Sequence, residues 1–122
     1  MSAISQKPKL IILFGSAVRG TAGRQSDIDA AVLKDHPLTL KEKAALTSSI
    51  AKKLGASEEQ VDLVDLWNAP PLLQHQIAQK GKLLEGDELD FIRFKILAWK
   101  RYLDTAKLRR IRDQALAKIY GR

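Results

Sequence analysis

Leu10-Ile11-Ile12-Leu13-Phe14-Gly15-Ser16, then ten residues, then Asp27-Ile28-Asp29-Ala30-Ala31-Val32-Leu33: this stretch decides how the chain is read. An apolar run short enough for a buried strand ends at a Gly-Ser corner. A second apolar run then opens with two carboxylates at i and i+2. In an extended strand those positions share a face, so Asp27 and Asp29 are expected side by side at a sheet edge, with Ile28 turned toward the core. Adjacent carboxylates repel unless a cation lies between them, and hard oxygen ligands suit Mg²⁺. Backbone N–H groups at a tight turn or helix start attract phosphate, which gives the Gly-Ser corner its complementary part. A phosphate cradle facing a carboxylate pair points to metal-assisted nucleotidyl or phosphoryl transfer.

Composition sets the outer bounds. The 122 residues suffice for one domain with a real core, and a hydrophobic content of 45% argues for a globular chain. With no cysteine, disulfides and thiolate metal sites are excluded, and a reducing cytoplasm is the expected setting. No apolar run approaches membrane-spanning length, and Met1 to Lys9 lacks the apolar centre of a secretory signal. The net charge of +7 is uneven: residues 87–122 carry ten Lys or Arg against five Asp or Glu. That basic tail attracts nucleic acid, nucleotides or an acidic partner, and charge alone does not choose among them.

Outward from the opening motif, residues 1–9 read as a polar lead-in, residues 10–86 as the main domain and residues 87–122 as a helical extension suited to partner contact. Gly15 to Gln25 reads as a turn, a short helix near Ala17 to Arg19 and a loop. Thr39 with Glu42 is a capping-box pattern, Leu40, Ala44, Ala45, Ile50 and Leu54 are the expected apolar face of that helix, and Gly55 ends it. Gln60 to Trp67 is a third strand-like run carrying Asp62 and Asp65. Pro70 and Pro71 open a helix that includes Leu72, Leu73, Ile77 and Ala78 and stops before Gly81, and Lys82 to Glu85 reads as an edge strand. From Asp87 the spacing of Leu89, Ile92, Ile96, Trp99 and Leu103 predicts a long helix. The order is that of an α/β (α+β) domain with a small mixed sheet flanked by helices. His36 and His75 lack a second histidine at ligand spacing and read as surface or packing residues.

Gly15-Ser16 with Asp27-Ile28-Asp29 resembles the signature of the nucleotidyltransferase superfamily that shares the polymerase-β palm. The stretches Leu13 to Gly20 and Ser26 to Val32 are more closely similar to the minimal nucleotidyltransferase (MNT) antitoxins of HEPN/MNT type VII toxin–antitoxin modules. Val61 to Leu66, Ala69 to Leu73, Gly81 to Leu84 and the tail from Asp90 to Thr105 extend the resemblance over roughly residues 10 to 105. The resemblance implies a polymerase-β-like fold with Mg²⁺ as cofactor and ATP as substrate. It implies that Gly15, Ser16 and Arg19 contact the triphosphate and that Asp27 and Asp29 hold the metal. A third carboxylate, Asp62 or Asp65, would complete the site; three apart on a strand, they fall on opposite faces, and Asp62 is favoured for its flanking Val61 and Leu63. The family usually has a helix before the first strand, and Met1 to Lys9 is too short and Pro-interrupted to supply a normal one.

Two functional expectations follow. The first is an antitoxin protein adenylyltransferase that moves AMP from Mg-ATP to a tyrosine hydroxyl of a cognate HEPN ribonuclease toxin, in a cytoplasmic hetero-oligomer. The second is a non-catalytic antitoxin that masks the toxin through the basic, aromatic tail helix. Direct nucleic-acid binding is possible on charge but not favoured. Transfer to an aminoglycoside or RNA is disfavoured, because such enzymes generally add a substantial acceptor-binding domain.

Overall fold

Apolar residues on both faces of a strand require cover on both sides, and that requirement organises the molecule. The computed structural model describes residues 8–15 and 28–119. Within them run β1 (Leu10–Phe14), β2 (Ile28–Leu33), α1 (Leu40–Leu54), a 3₁₀ turn (Glu58–Gln60), β3 (Val61–Asp65), α2 (Pro71–Lys80), β4 (Lys82–Gly86) and α3 (Glu88–Ile119). The strands form one mixed sheet in the order β3-β2-β1-β4. β1 pairs antiparallel with β2 and β4, while β2 and β3 run parallel and are joined through α1. β4 is an edge, as its brevity and Gly86 foretell.

Central β1 divides its side chains between two cores. Leu10 and Ile12 lie in the cluster with Ala31, Leu66, Ile77, Phe91, Phe94 and Ala98, beneath α2 and α3. Ile11 lies in the opposite cluster with Ala30, Val32, Leu38 and Ile50, beneath α1. Each fully buried side chain of this size contributes about 1.5–3 kcal/mol, so the uninterrupted run of β1 is the main adhesive of both layers.

The caps follow the sequence pattern. Thr39 Oγ1 accepts from Glu42 N at 3.1 Å while Glu42 Oε1 accepts from Thr39 N at 2.9 Å, and Gly55 closes α1 at φ +68°. Asp87 Oδ1 accepts from Leu89 N at 2.8 Å and caps α3.

Two expected apolar faces need correction. In α1 the residues against the sheet are Leu46, Ile50 and Leu54, whereas Leu40 is 85% exposed. Leu40 is six residues before Leu46, which turns it about 120° away on a helix of 3.6 residues per turn. In α3 the stripe of Leu89, Ile92, Ile96, Trp99 and Leu103 faces away from the sheet, and Phe91, Phe94 and Ala98 are buried instead. At 3.6 residues per turn the two stripes lie about 150° apart, close to opposite faces of the helix. The sheet takes the one whose small Ala98 permits close approach. Further along α3, the Tyr102 ring stacks on His75 at 4.0 Å and 8°, with the Arg109 guanidinium 4.0 Å above Tyr102. Beyond that stack Leu108, Ile111, Leu116 and Ile119 are exposed.

A charged cluster ties the end of β2 to the start of α1. Lys34, 4% exposed, pairs with Glu42 at 2.7 Å, and His36 bridges Glu42 at 2.9 Å and Asp35 at 2.6 Å. The hydrogen bond from Lys34, then those from Thr39 N and His36, hold Glu42 down at about 2, while Glu42 and then Asp35 raise His36 above 6.5. A depressed carboxylate stabilises above its ordinary value of 4.5 and loses that contribution as pH falls toward 2; a raised imidazole stabilises below 6.5 and loses it as pH rises through the raised value. The melting temperature of the protein is therefore expected to decline on the alkaline side of pH 6.5. In His36→Gln that part of the profile should be flat, as thermal melts across pH will show.

Candidate active site

Gly15, at the end of β1, and Asp29, near the start of β2, meet at one end of the sheet. Gly15 follows β1 at φ +79°, and a Cβ there would overlap Oδ2 of Asp29 and lie 3.2 Å from its Cγ. Backbone conformation and contact both demand glycine. Phe14 is the register partner of Asp29 across β1/β2, and Asp29 is the register partner of Asp62 across β2/β3. Adjacent strands lie about 4.8 Å apart. Asp29 precedes Ala31 by two residues and Asp62 precedes Val64 by two, which puts both carboxylates on the face covered by α2 and α3.

Asp65 has a different task. It pairs in register with Val32 and occupies the other face, where Oδ2 accepts from Leu38 N at 3.0 Å. Its two oxygens also accept from Trp67 N at 3.0 Å and Asn68 Nδ2 at 3.2 Å. This carboxylate fixes the turn after β3. Of the two candidate acids, only Asp62 is brought beside Asp29.

Ser16, Arg19 and Asp27 lie outside the described residues, as does the expected short helix near Ala17 to Arg19. Among the described residues no group of three His, Cys, Asp or Glu is arranged to hold a metal. Asp29 and Asp62 supply two hard oxygen donors on one face, a set whose like charges a divalent cation relieves and which fits Mg²⁺ better than a soft metal.

A cleft of about 270 Å³ adjoins the corner, lined by Phe14, Gly15, Leu73, Gln76 and Lys80. Lys80 is the last residue of α2, and β4 begins two residues later with Lys82 as the partner of Leu13. Neither lysine has an ion-pair partner among the described residues. Two cations thus flank the end of the sheet where phosphate is expected. Sequence reasoning missed them, because only the short return from α2 into β4 brings Lys80 alongside Gly15. The one available signal was Lys80-Gly81-Lys82 itself, two cations around a helix stop.

Similarity to known proteins agrees with this geometry. The protein adenylyltransferase MntA of Shewanella oneidensis is 42% identical over 84 residues, which are 69% of this chain and 58% of that protein. The chain therefore spans less than two thirds of that relative's length. A crystal structure of a toxin–antitoxin with AMP-PNP contains a chain that is 37% identical, with a TM-score of 0.73 over 91% of this chain and 88% of that one. A structure of tri-AMPylated Shewanella oneidensis HEPN toxin in complex with MNT antitoxin aligns at 33% identity and a TM-score of 0.66, over 92% and 87% of the two chains. Residues 3–88, well over half of the sequence, match the polymerase beta nucleotidyltransferase model, and the chain belongs to that family.

Proposed function

We propose that this protein is a cytoplasmic antitoxin of the MNT type that transfers AMP from Mg-ATP to a tyrosine hydroxyl of a HEPN-domain toxin. The observation that carries the reading is the contact of Gly15 with Asp29, itself in register with Asp62. It joins a phosphate-binding corner to a carboxylate pair. The resemblance to an adenylyltransferase and to a complex holding an AMPylated toxin supports the acceptor class.

Asp29 and Asp62, with Asp27, are the residues to hold Mg²⁺, which when bound offsets the charge of the phosphates and favours the ionised form of the acceptor hydroxyl. Gly15 lets the triphosphate approach the backbone, with Ser16 and Arg19 to bind its phosphates. The acceptor oxygen forms a bond to the α-phosphorus as the bond from that phosphorus to pyrophosphate breaks. The hydroxyl proton passes to a carboxylate and on to water; Asp62, exposed beside Asp29, is placed for that exchange. Lys80 and Lys82 favour the departing pyrophosphate electrostatically.

The test is intact mass of the co-encoded partner after incubation with the protein and Mg-ATP. Mass gains in steps of one adenylate are expected with the parent and none with the Asp27→Ala, Asp29→Ala double variant. An unmodified yet inhibited partner would overturn catalysis. One observation supports a second reading, neutralisation by binding: α3 leaves Leu108, Ile111, Leu116 and Ile119 exposed beyond the body. On that reading, deleting residues 104–122 abolishes neutralisation while the double variant retains it.

A further inference from the structure

At the end of the sheet remote from Gly15, a second and larger cleft of about 630 Å³ opens between the strand ends and α3. Lys9 lines it, and six residues of extended chain separate Lys9 from Gly15, about 20 Å at 3.3 Å per residue. Its size is within the range of roughly 300–1,000 Å³ typical of small-molecule sites. The nucleotidyl-transfer site described above takes no part in it.

The wall of this cleft is built rather than incidental. Gln74, 4% exposed, donates through Nε2 to the carbonyls of Leu66 at 3.0 Å and Ala69 at 3.1 Å, and its Oε1 accepts from Arg101 Nη1 at 3.0 Å. Arg101 is thereby held in one orientation by a neutral partner and has no carboxylate paired with it among the described residues. Four of its five N–H donors are left for other partners. The other cations differ: Lys34 is neutralised by Glu42, and Arg93 pairs with Asp90 at 3.5 Å. Lys9, on the rim, has no such partner among the described residues.

Apolar and acidic groups complete the lining. The Trp67 indole is 49% exposed, on a turn clamped by the Asp65 carboxylate, and Phe94 and Leu97 lie in the opposing wall. A rigid guanidinium suits a phosphate. An exposed indole suits a planar base. Asp35 and Asp90, also in the lining, each engage a cation, His36 and Arg93, through one carboxylate oxygen, and the second oxygen of each is of the kind that accepts from the amino group of a base. An acidic peptide brings an anion but no planar ring for the Trp67 indole, so the indole together with the guanidinium favours a base carrying a phosphate.

We propose that this cleft is a second binding site, for a phosphorylated nucleotide unit, either a free mononucleotide or the phosphorylated end of an RNA strand, with Arg101 and Lys9 on the phosphate and Trp67 stacked on the base.

Calorimetric titration of the full-length protein in EDTA, which withholds the metal required at the transfer site, tests this. The probes are AMP, a 5′-phosphorylated RNA trinucleotide, the same trinucleotide without phosphate, and hexaglutamate. Saturable binding of AMP or the phosphorylated trinucleotide is expected, with at least tenfold weaker binding by Arg101→Gln and Trp67→Ala. Lys9→Gln, a change at an exposed side chain, is expected to weaken it several-fold with an unchanged melting temperature. Trp67 emission in a Trp99→Phe background should change on binding. Tighter binding of AMP identifies the free nucleotide, and tighter binding of the phosphorylated trinucleotide identifies the strand end. The proposal is overturned if neither binds, if removing the phosphate changes nothing, if hexaglutamate binds instead, or if all three variants bind as the parent does.

Discussion

Gly15→Ala is expected to reduce AMP transfer by at least 100-fold while costing only about 1–2 kcal/mol of stability, the usual penalty for a side chain forced into the left-handed region. The two effects have separate origins. The stability cost comes from φ +79°, which an L-residue adopts reluctantly. The catalytic cost comes from the added methyl overlapping Oδ2 of Asp29, so that the carboxylate must swing away from the register it shares with Asp62. A misplacement near 1 Å at a reacting centre costs about 100-fold. Thermal melting should show a fall of roughly 4–16 °C, since each kcal/mol shifts the midpoint of a domain near this size by about 4–8 °C. Intact-mass kinetics on the partner should show almost no adduct at a temperature where the variant is folded. Near-parental transfer by Gly15→Ala would mean that Asp29 tolerates displacement and that the corner is only a turn.

That juxtaposition of Gly15 and Asp29 was legible because it rests on short-range rules. A buried strand reads as an apolar run, and the α1 caps read from Thr39, Glu42 and Gly55. The placement of Asp62 and Asp65 on opposite faces followed from the period of two along a strand. What the chain concealed was selection between equivalent options. Residues 88–119 carry two apolar stripes, and the larger side chains of Leu89, Ile92, Ile96, Trp99 and Leu103 outweigh Phe91, Phe94 and Ala98 in any periodicity count. The sheet nevertheless takes the stripe with alanine, because proximity between α3 and its neighbours depends on volume at the crossing and not on total hydrophobicity. Lys80 beside Gly15 and Arg101 beside Gln74 were concealed for a related reason. Both pairs are made by segments distant in sequence, and no local pattern marks them.

Asp62 and Asp65 provide the sharpest separation of function from stability, since each is changed by the same isosteric replacement. In Asp62→Asn the carboxylate lost is exposed and lies beside Asp29 at the sheet edge. Removing one of two like charges relieves repulsion, so the melting temperature should hold or rise slightly. Transfer should fall by at least 100-fold, because a neutral amide neither balances a divalent cation nor takes the acceptor proton. In Asp65→Asn the reverse is expected. The native carboxylate accepts from Leu38 N, Trp67 N and Asn68 Nδ2, and an amide substitutes a donor for one of its two oxygens. At least one of the three donors then faces another donor, a loss of about 1–3 kcal/mol. The turn after β3 loosens, but the face bearing Asp29 and Asp62 is untouched, so transfer below the melting transition should stay within a few-fold of the parent. Equal loss of transfer in both variants would mean that the two faces of β3 are coupled through the turn, and that register alone does not decide which acid serves the site.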